Sequence, residues 1–229
     1  MKKVILWIRM LIYLPAVWLT AVQSRKESFA VRFSIVQKWT SMVMKRTGLI
    51  MITEGAEKVP ADETVYFVSN HQGMLDPILV FAKLPVPATM VSKQSNLKIP
   101  FVNSWMKTME AITFDRSNMR DAVRMIRDVV AKLKEGKNVV IFPEGTRSKK
   151  MEMGDFKPGS FKPALTAKCT VVPITLVNTF ATDVKGKTDN RVKIIFSDPI
   201  RYDEFKDMTT TELCEKVKGI IQENLDRGL

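Results

Sequence analysis

Residues 64–77 read TVYFVSNHQGMLDP. Val65 to Val68 are apolar without interruption, the pattern of a short strand covered on both faces. The run then turns polar at Ser69, Asn70, His71 and Gln72. Gly73 permits a tight turn, and Asp76-Pro77 has the form of a helix N-cap followed by proline in the first turn. Strand, polar loop and helix in succession form the unit of a layered α/β domain. In such sheets, sites gather at the carboxyl ends of strands.

The pattern repeats outward along the chain. Candidate strands are Leu49–Thr53, Thr64–Ser69, Ala88–Ser92, Ala111–Phe114, Asn138–Phe142, Val171–Val177 and Val192–Phe196. Ala122, Val123, Ile126, Val129, Val130 and Leu133 share one helical face, which Gly136 stops. Thr209 and Glu212 make a capping-box start for a last helix faced by Leu213, Val217, Ile220, Ile221 and Leu225. No repeat or low-complexity linker interrupts residues 48–229. They read as one domain, a mixed, largely parallel sheet flanked by helices.

The chemistry begins at His71, the only histidine of the chain. A neutral imidazole is the natural general base near neutral pH, and it needs a partner to fix its tautomer. Asp76 stands five residues on. On an unbroken helix the two side chains would point about 140° apart, so they meet only if the segment starts as a turn and becomes helix part-way. The plainer alternative makes Asp76 a cap and His71 a polar loop residue. Two further strands end in the same manner. Phe142-Pro143-Glu144-Gly145-Thr146-Arg147-Ser148 follows one, and Phe114-Asp115-Arg116 closes another. Arginine offers a planar fork that fits phosphate. Three strands thus end in polar groups suited to one cleft.

Composition narrows the classes. With 45% hydrophobic and 26% charged residues among 229, the chain is globular. Two cysteines and one histidine leave no disulfide framework and no cysteine- or histidine-rich metal site, so no metal is expected. No G-x-S-x-G elbow is present, which disfavours a serine acyl-enzyme. Cys169 enters an apolar strand and reads as core, and Cys214 is given no role.

The net charge of +12 asks for an anionic partner. Residues 1–46 hold nine basic residues against Glu27 alone, beside an apolar stretch at Val4–Val22 broken only by Arg9 and Thr20. As a helix this stretch would be about 28 Å long, near the hydrocarbon thickness. A signal peptide lacks a clear cleavage site here. A spanning helix has positive charge at both ends and so no preferred orientation. The favoured expectation is a monotopic anchor at residues 1–47, with Val4–Val22 and an amphipathic helix at 27–46 dipping into one leaflet. The alternative packs residues 27–46 on the core. Charge concentrated beside an apolar anchor, without a nucleic-acid motif, argues against nucleic acid as partner.

N-H-Q-G-M-L-D, F-D-R, F-P-E-G-T-R-S and the later V-P-I at Val172–Ile174 resemble, in order and spacing, the four sequence blocks of the glycerolipid acyltransferase family. Within it, the short chain and two-helix start are most similar to bacterial lysophosphatidic acid acyltransferases. The resemblance implies transfer of an acyl group from a thioester, acyl-CoA or an acidic acyl carrier protein, to the hydroxyl of a lysophospholipid, with no covalent intermediate and no cofactor. His71 would be the base and Asp76 its partner. Gln72, Arg116, Glu144, Gly145, Thr146 and Arg147 match acceptor-binding positions, with Lys93 and Lys157 as lesser candidates. The same resemblance places the enzyme on the membrane, facing the cytoplasm. One departure stands out: Glu110 occupies a position where related sequences often carry glycine.

Overall fold

The computed structural model describes residues 14–183 and 189–229. The first part of the expected apolar helix, with Lys2, Lys3 and Arg9, lies outside the described residues. The chain continues as α1 (Leu14–Gln23), α2 (Phe29–Thr47), β1 (Ile50–Glu54), β2 (Val65–Ser69), α3 (Asp76–Lys83), β3 (Ala88–Lys93), α4 (Pro100–Thr108) and β4 (Ile112–Phe114). It closes with α5 (Met119–Lys134), β5 (Asn138–Ile141), α6 (Lys162–Ala167), β6 (Thr170–Val177), β7 (Arg191–Phe196) and α7 (Thr210–Arg227).

The seven strands form one sheet in the order β1-β7-β6-β2-β5-β3-β4. Every pairing is parallel except β6 with β7. β2 therefore lies near the centre, between β6 and β5, with Phe67 opposite Val172 on one side and Val140 on the other. All five of its residues are buried. Their alternation feeds two separate cores. Tyr66 and Val68 pack with Met125, Val129 and Leu133 of α5 and with Leu213, Val217 and Ile221 of α7. Val65 and Phe67 pack on the opposite face with Val80 and Phe81 of α3 and Phe33 and Val36 of α2. Each such side chain contributes about 1.5–3 kcal/mol through burial. A continuously apolar strand is the consequence of helices on both faces.

The helix at residues 29–47 is thus part of the domain's second layer. Ser28 caps it, its Oγ accepting from the Val31 N–H at 3.4 Å, and Gly48 ends it at φ +74°. Phe33, Val36 and Met44 are buried while Val31 on the other side is exposed. α1 runs against α4. Thr108 Oγ1 donates to the Ala21 carbonyl at 2.8 Å, and Arg25 Nη2 donates to Ser104 Oγ at 2.9 Å. Trp18 and Leu19 of α1 remain exposed. No described helix is long and apolar enough to cross a membrane.

Candidate active site

The carboxyl ends of β2, β5, β3, β4 and β6 lie along one edge of the sheet, because these five strands are mutually parallel. His71 leaves the end of β2. Asn70, fully buried just before it, extends the β2–β6 ladder with its side chain. Its Nδ2 donates to the Leu176 carbonyl at 2.9 Å, and the Leu176 N–H donates to its Oδ1 at 2.7 Å. His71 thereby starts from a fixed point.

His71 Nδ1 lies 2.8 Å from Asp76 Oδ2. The intervening residues turn before α3 begins, as the five-residue spacing requires. Asp76 is not the N-cap expected of it. Leu75 holds that place, and the Asp76 carboxylate points back to accept the N–H groups of Gln72 at 2.6 Å and Gly73 at 2.8 Å. Those donors lie upstream of the helix, so the aspartate organises the turn carrying His71. Asp76 is wholly buried, and its Oδ1 has no partner among the described residues. The imidazole stacks on Phe142, ring centroids 4.5 Å apart. With Nδ1 engaged, Nε2 is the ring nitrogen left for chemistry.

Glu144, at the end of β5, buttresses the same loop. Its Oε1 accepts the His71 N–H at 2.7 Å and its Oε2 accepts the Gly154 N–H at 2.9 Å. Burial pushes its pKa up, partly offset by these two donors. Gly154 has no room for a side chain, since a Cβ there would stand 2.8 Å from Glu144 Oε2. The two loops are also joined by backbone: Ser148 N–H donates to the His71 carbonyl at 2.8 Å and Lys149 N–H to the Gln72 carbonyl at 3.1 Å.

The other expected site residues divide. Gln72 is buried, with Nε2 on the Met151 carbonyl at 3.1 Å and Oε1 accepting the Thr179 N–H at 3.0 Å. Gln72 and Glu144, both expected to contact the acceptor, have both terminal polar atoms of their side chains bonded within the chain itself; their geometry is that of supports for the loop. Gly145 sits at φ +70° and donates its N–H to the Phe142 carbonyl at 3.1 Å. The N–H groups of Thr146 and Arg147 meet no acceptor among the described residues. The Arg147 guanidinium lies 3.1 Å from Asp183 Oδ2, which also accepts the Met74 N–H at 3.0 Å. Arg116, after β4, is exposed and carries no ion pair among the described residues. Lys157 reaches Gly145, its Nζ 3.4 Å from where a Cβ would stand. Lys93 is exposed at the end of β3.

Asp183 and Thr179 had no motif to mark them; they follow β6 and meet the site only through the fold. Cys169 is buried as expected, and burial pushes its thiol up to about 12. Among the described residues no group of three histidine, cysteine or carboxylate side chains is placed to hold a metal.

Known proteins resemble the chain both in sequence and in fold. A family model described as Acyltransferase matches residues 50–177, from β1 to the end of β6. A 1-acyl-sn-glycerol-3-phosphate acyltransferase of Borreliella burgdorferi is 34% identical over 132 residues, 58% of this chain and 53% of that protein. The chloroplastic enzyme LPAT1 of Arabidopsis thaliana is 32% identical over 84% of this chain and 53% of its own length. The chain thus spans about half the length of these relatives. The probable enzyme of Mycoplasma genitalium is 27% identical, covering 84% of this chain and 77% of that one. In fold, the crystal structure of the 1-acyl-sn-glycerophosphate acyltransferase PlsC from Thermotoga maritima superposes with a TM-score of 0.82 at 22% identity, over 99% of this chain and 97% of that one. The matched span runs through the His71–Asp76 turn and the Glu144–Arg147 loop, and the chain belongs to the Acyltransferase family.

Proposed function

We propose that the chain is a 1-acyl-sn-glycerol-3-phosphate acyltransferase. It transfers an acyl group from a thioester, acyl-CoA or an acyl carrier protein, to the free hydroxyl of lysophosphatidic acid, giving phosphatidic acid. The names of its relatives support this acceptor, and the observation that carries the chemistry is the His71–Asp76 pair, held at 2.8 Å.

In this reading His71 Nε2 takes the proton of the acceptor hydroxyl as its oxygen attacks the thioester carbonyl. Asp76, on the other ring nitrogen, holds the tautomer and stabilises the imidazolium that forms. Collapse of the tetrahedral intermediate expels the thiolate, which recovers the proton from His71. The ester bond forms as the thioester bond breaks, and no acyl-enzyme is required. Arg116 and Arg147 receive the acceptor phosphate, with the open N–H groups of Thr146 and Arg147 as further donors to a developing negative charge. Gln72, Glu144 and Gly145 act by holding the loops. The reaction takes place at a membrane surface on the cytoplasmic side, where the basic, apolar N-terminal segment attaches.

The test is thiol release from palmitoyl-CoA, with and without lysophosphatidic acid, by wild type and His71→Ala. Acceptor-dependent release that falls by about 10²–10⁴ in the mutant is expected. Release independent of acceptor would make the chain a thioesterase. Activity that survives the loss of His71 would leave a lipid-binding module, and turnover only with glycerol 3-phosphate or another lysolipid would change the acceptor.

A further inference from the structure

We propose that the amino-terminal half of α5 is a docking face for an acidic protein that presents the acyl thioester, because exposed Met119 and Val123 lie there beside Arg120 and Arg127, which carry no ion pair among the described residues. The proposal rests on the acyl-transfer reading and names the form in which the donor arrives.

Met119 is 83% exposed and Val123 63%, the two most exposed large apolar side chains in the described part of the protein. At about 100° per residue, Met119, Val123, Arg127 and Arg120 fall within an arc of about 100° on the helix. Met125, Val129 and Leu133 lie on a separate arc of the helix and are buried in the core. The acidic residues of α5 do not neutralise the arc. Asp121 and Asp128 are both engaged by Arg124, at 3.1 and 3.6 Å. Arg120 and Arg127 carry no ion pair among the described residues. An apolar centre rimmed by cations complements an acidic protein surface with a small apolar contact, and exposed methionine adapts to such a partner.

Two other anionic partners fit less well. A nucleotide, such as the head of coenzyme A, calls for a concave site, whereas this face is a convex helix. A lipid surface is met by helices with aromatic and leucine side chains. Those side chains are exposed on α1, at Trp18 and Leu19, and α5 contains no aromatic residue. Position also suits a carried donor. α5 starts just after β4, three strand positions from β2 in the sheet, or about 14 Å at the usual spacing. A thioester on a flexible arm can span that distance to His71, whereas one fixed to the partner's surface cannot.

The experiment uses the full chain and Arg120→Glu/Arg127→Glu, with Met119→Ser/Val123→Ser as a second variant. Both pairs are exposed, so the fold should survive, and circular dichroism checks it. Fluorescence anisotropy measures binding of a labelled acyl carrier protein at low and high salt, independently of turnover. Thiol release is followed with palmitoyl carrier protein and with palmitoyl-CoA.

Wild type should bind the carrier, more weakly as salt rises. Charge reversal should raise both the dissociation constant and the KM for the carrier thioester at least tenfold, with kcat and the KM for palmitoyl-CoA within twofold. The serine pair should weaken the carrier alone by a smaller factor. Failure of wild type to bind the carrier overturns the proposal, as does unchanged binding by the variants. An equal rise in KM for both donors would mean the face serves the donor head or arm. Loss of binding to anionic vesicles with carrier binding intact would give it to the membrane. If neither thioester is turned over, the acyl-transfer reading falls, while anisotropy still decides whether the face docks an acidic protein.

Discussion

At Glu110 the backbone and the side chain make opposing demands. The residue sits at φ +54°, a left-handed conformation that costs a non-glycine residue about 1–2 kcal/mol. Glycine, which the family resemblance leads one to expect here, would adopt this conformation without that strain. The carboxylate offsets the strain by receiving Arg32 at 2.7 Å and Lys132 and Lys137 at 2.6 Å each. Burial would raise its pKa, but the bonds from Lys132, Lys137 and Arg32 outweigh burial and bring it down to about 2. A lowered pKa contributes stability that is complete above the unfolded value near 4.5 and is lost as pH falls toward 2. The side chain is about a quarter exposed, so screening reduces the contribution to about 2 kcal/mol. Glu110→Gln should therefore lower the urea midpoint at pH 7, and the gap to wild type should narrow steadily from about pH 5 down toward pH 2. A gap that is constant across that range would show that the three cations do not act through the ionised carboxylate.

The elements were largely legible and their arrangement was not. Each observed strand boundary lies within one residue of the sequence expectation, because runs such as VYFVS and VVPITLV are apolar on both faces and end in polar residues. The capping box of α7 is present as read, with Thr209 and Glu212 exchanging bonds. Strand order, and the antiparallel turn of β7 against β6, depend on pairings between distant residues that no local pattern carries. For the same reason His71, Asp76 and Glu144 could be marked by motif, while Asp183 and the support given by Gln72 could not. Asn70 shows how an element end becomes a site. Its amide replaces a missing backbone pair between β2 and β6. Asn70→Ala would leave the N–H and carbonyl of Leu176 buried without partners, each at about 1–3 kcal/mol. A loss of about 2–4 kcal/mol in denaturant unfolding is expected, together with reduced kcat because His71 is the next residue. A destabilised variant with unchanged kcat would mean that His71 is held by Asp76 and Glu144 alone.

On the scale of the molecule, the proposed attachment of the N-terminal segment to a membrane can be tested directly. Removing residues 1–46 would be a poor test. Phe33 and Val36 belong to the core beneath β2, and their loss would cost several kcal/mol and expose apolar surface that binds vesicles for the wrong reason. α1 offers a cleaner one. It is tied to α4 through Ala21 and through Arg25 just beyond its end, while Trp18 and Leu19 are exposed. An exposed tryptophan and leucine on a helix followed by Arg25 and Lys26 suit the interface of an anionic bilayer. Burying two such side chains in lipid is worth about 3–5 kcal/mol. Trp18→Ser/Leu19→Ser should therefore weaken partitioning to phosphatidylglycerol vesicles by at least tenfold, measured by co-sedimentation. Thermal stability should hold, since neither side chain is in the core. Turnover of a short-chain, water-soluble lysophosphatidic acid should also hold, whereas turnover of a vesicle-bound acceptor should fall with the partitioning. If the variant sediments like wild type, α1 is not the attachment.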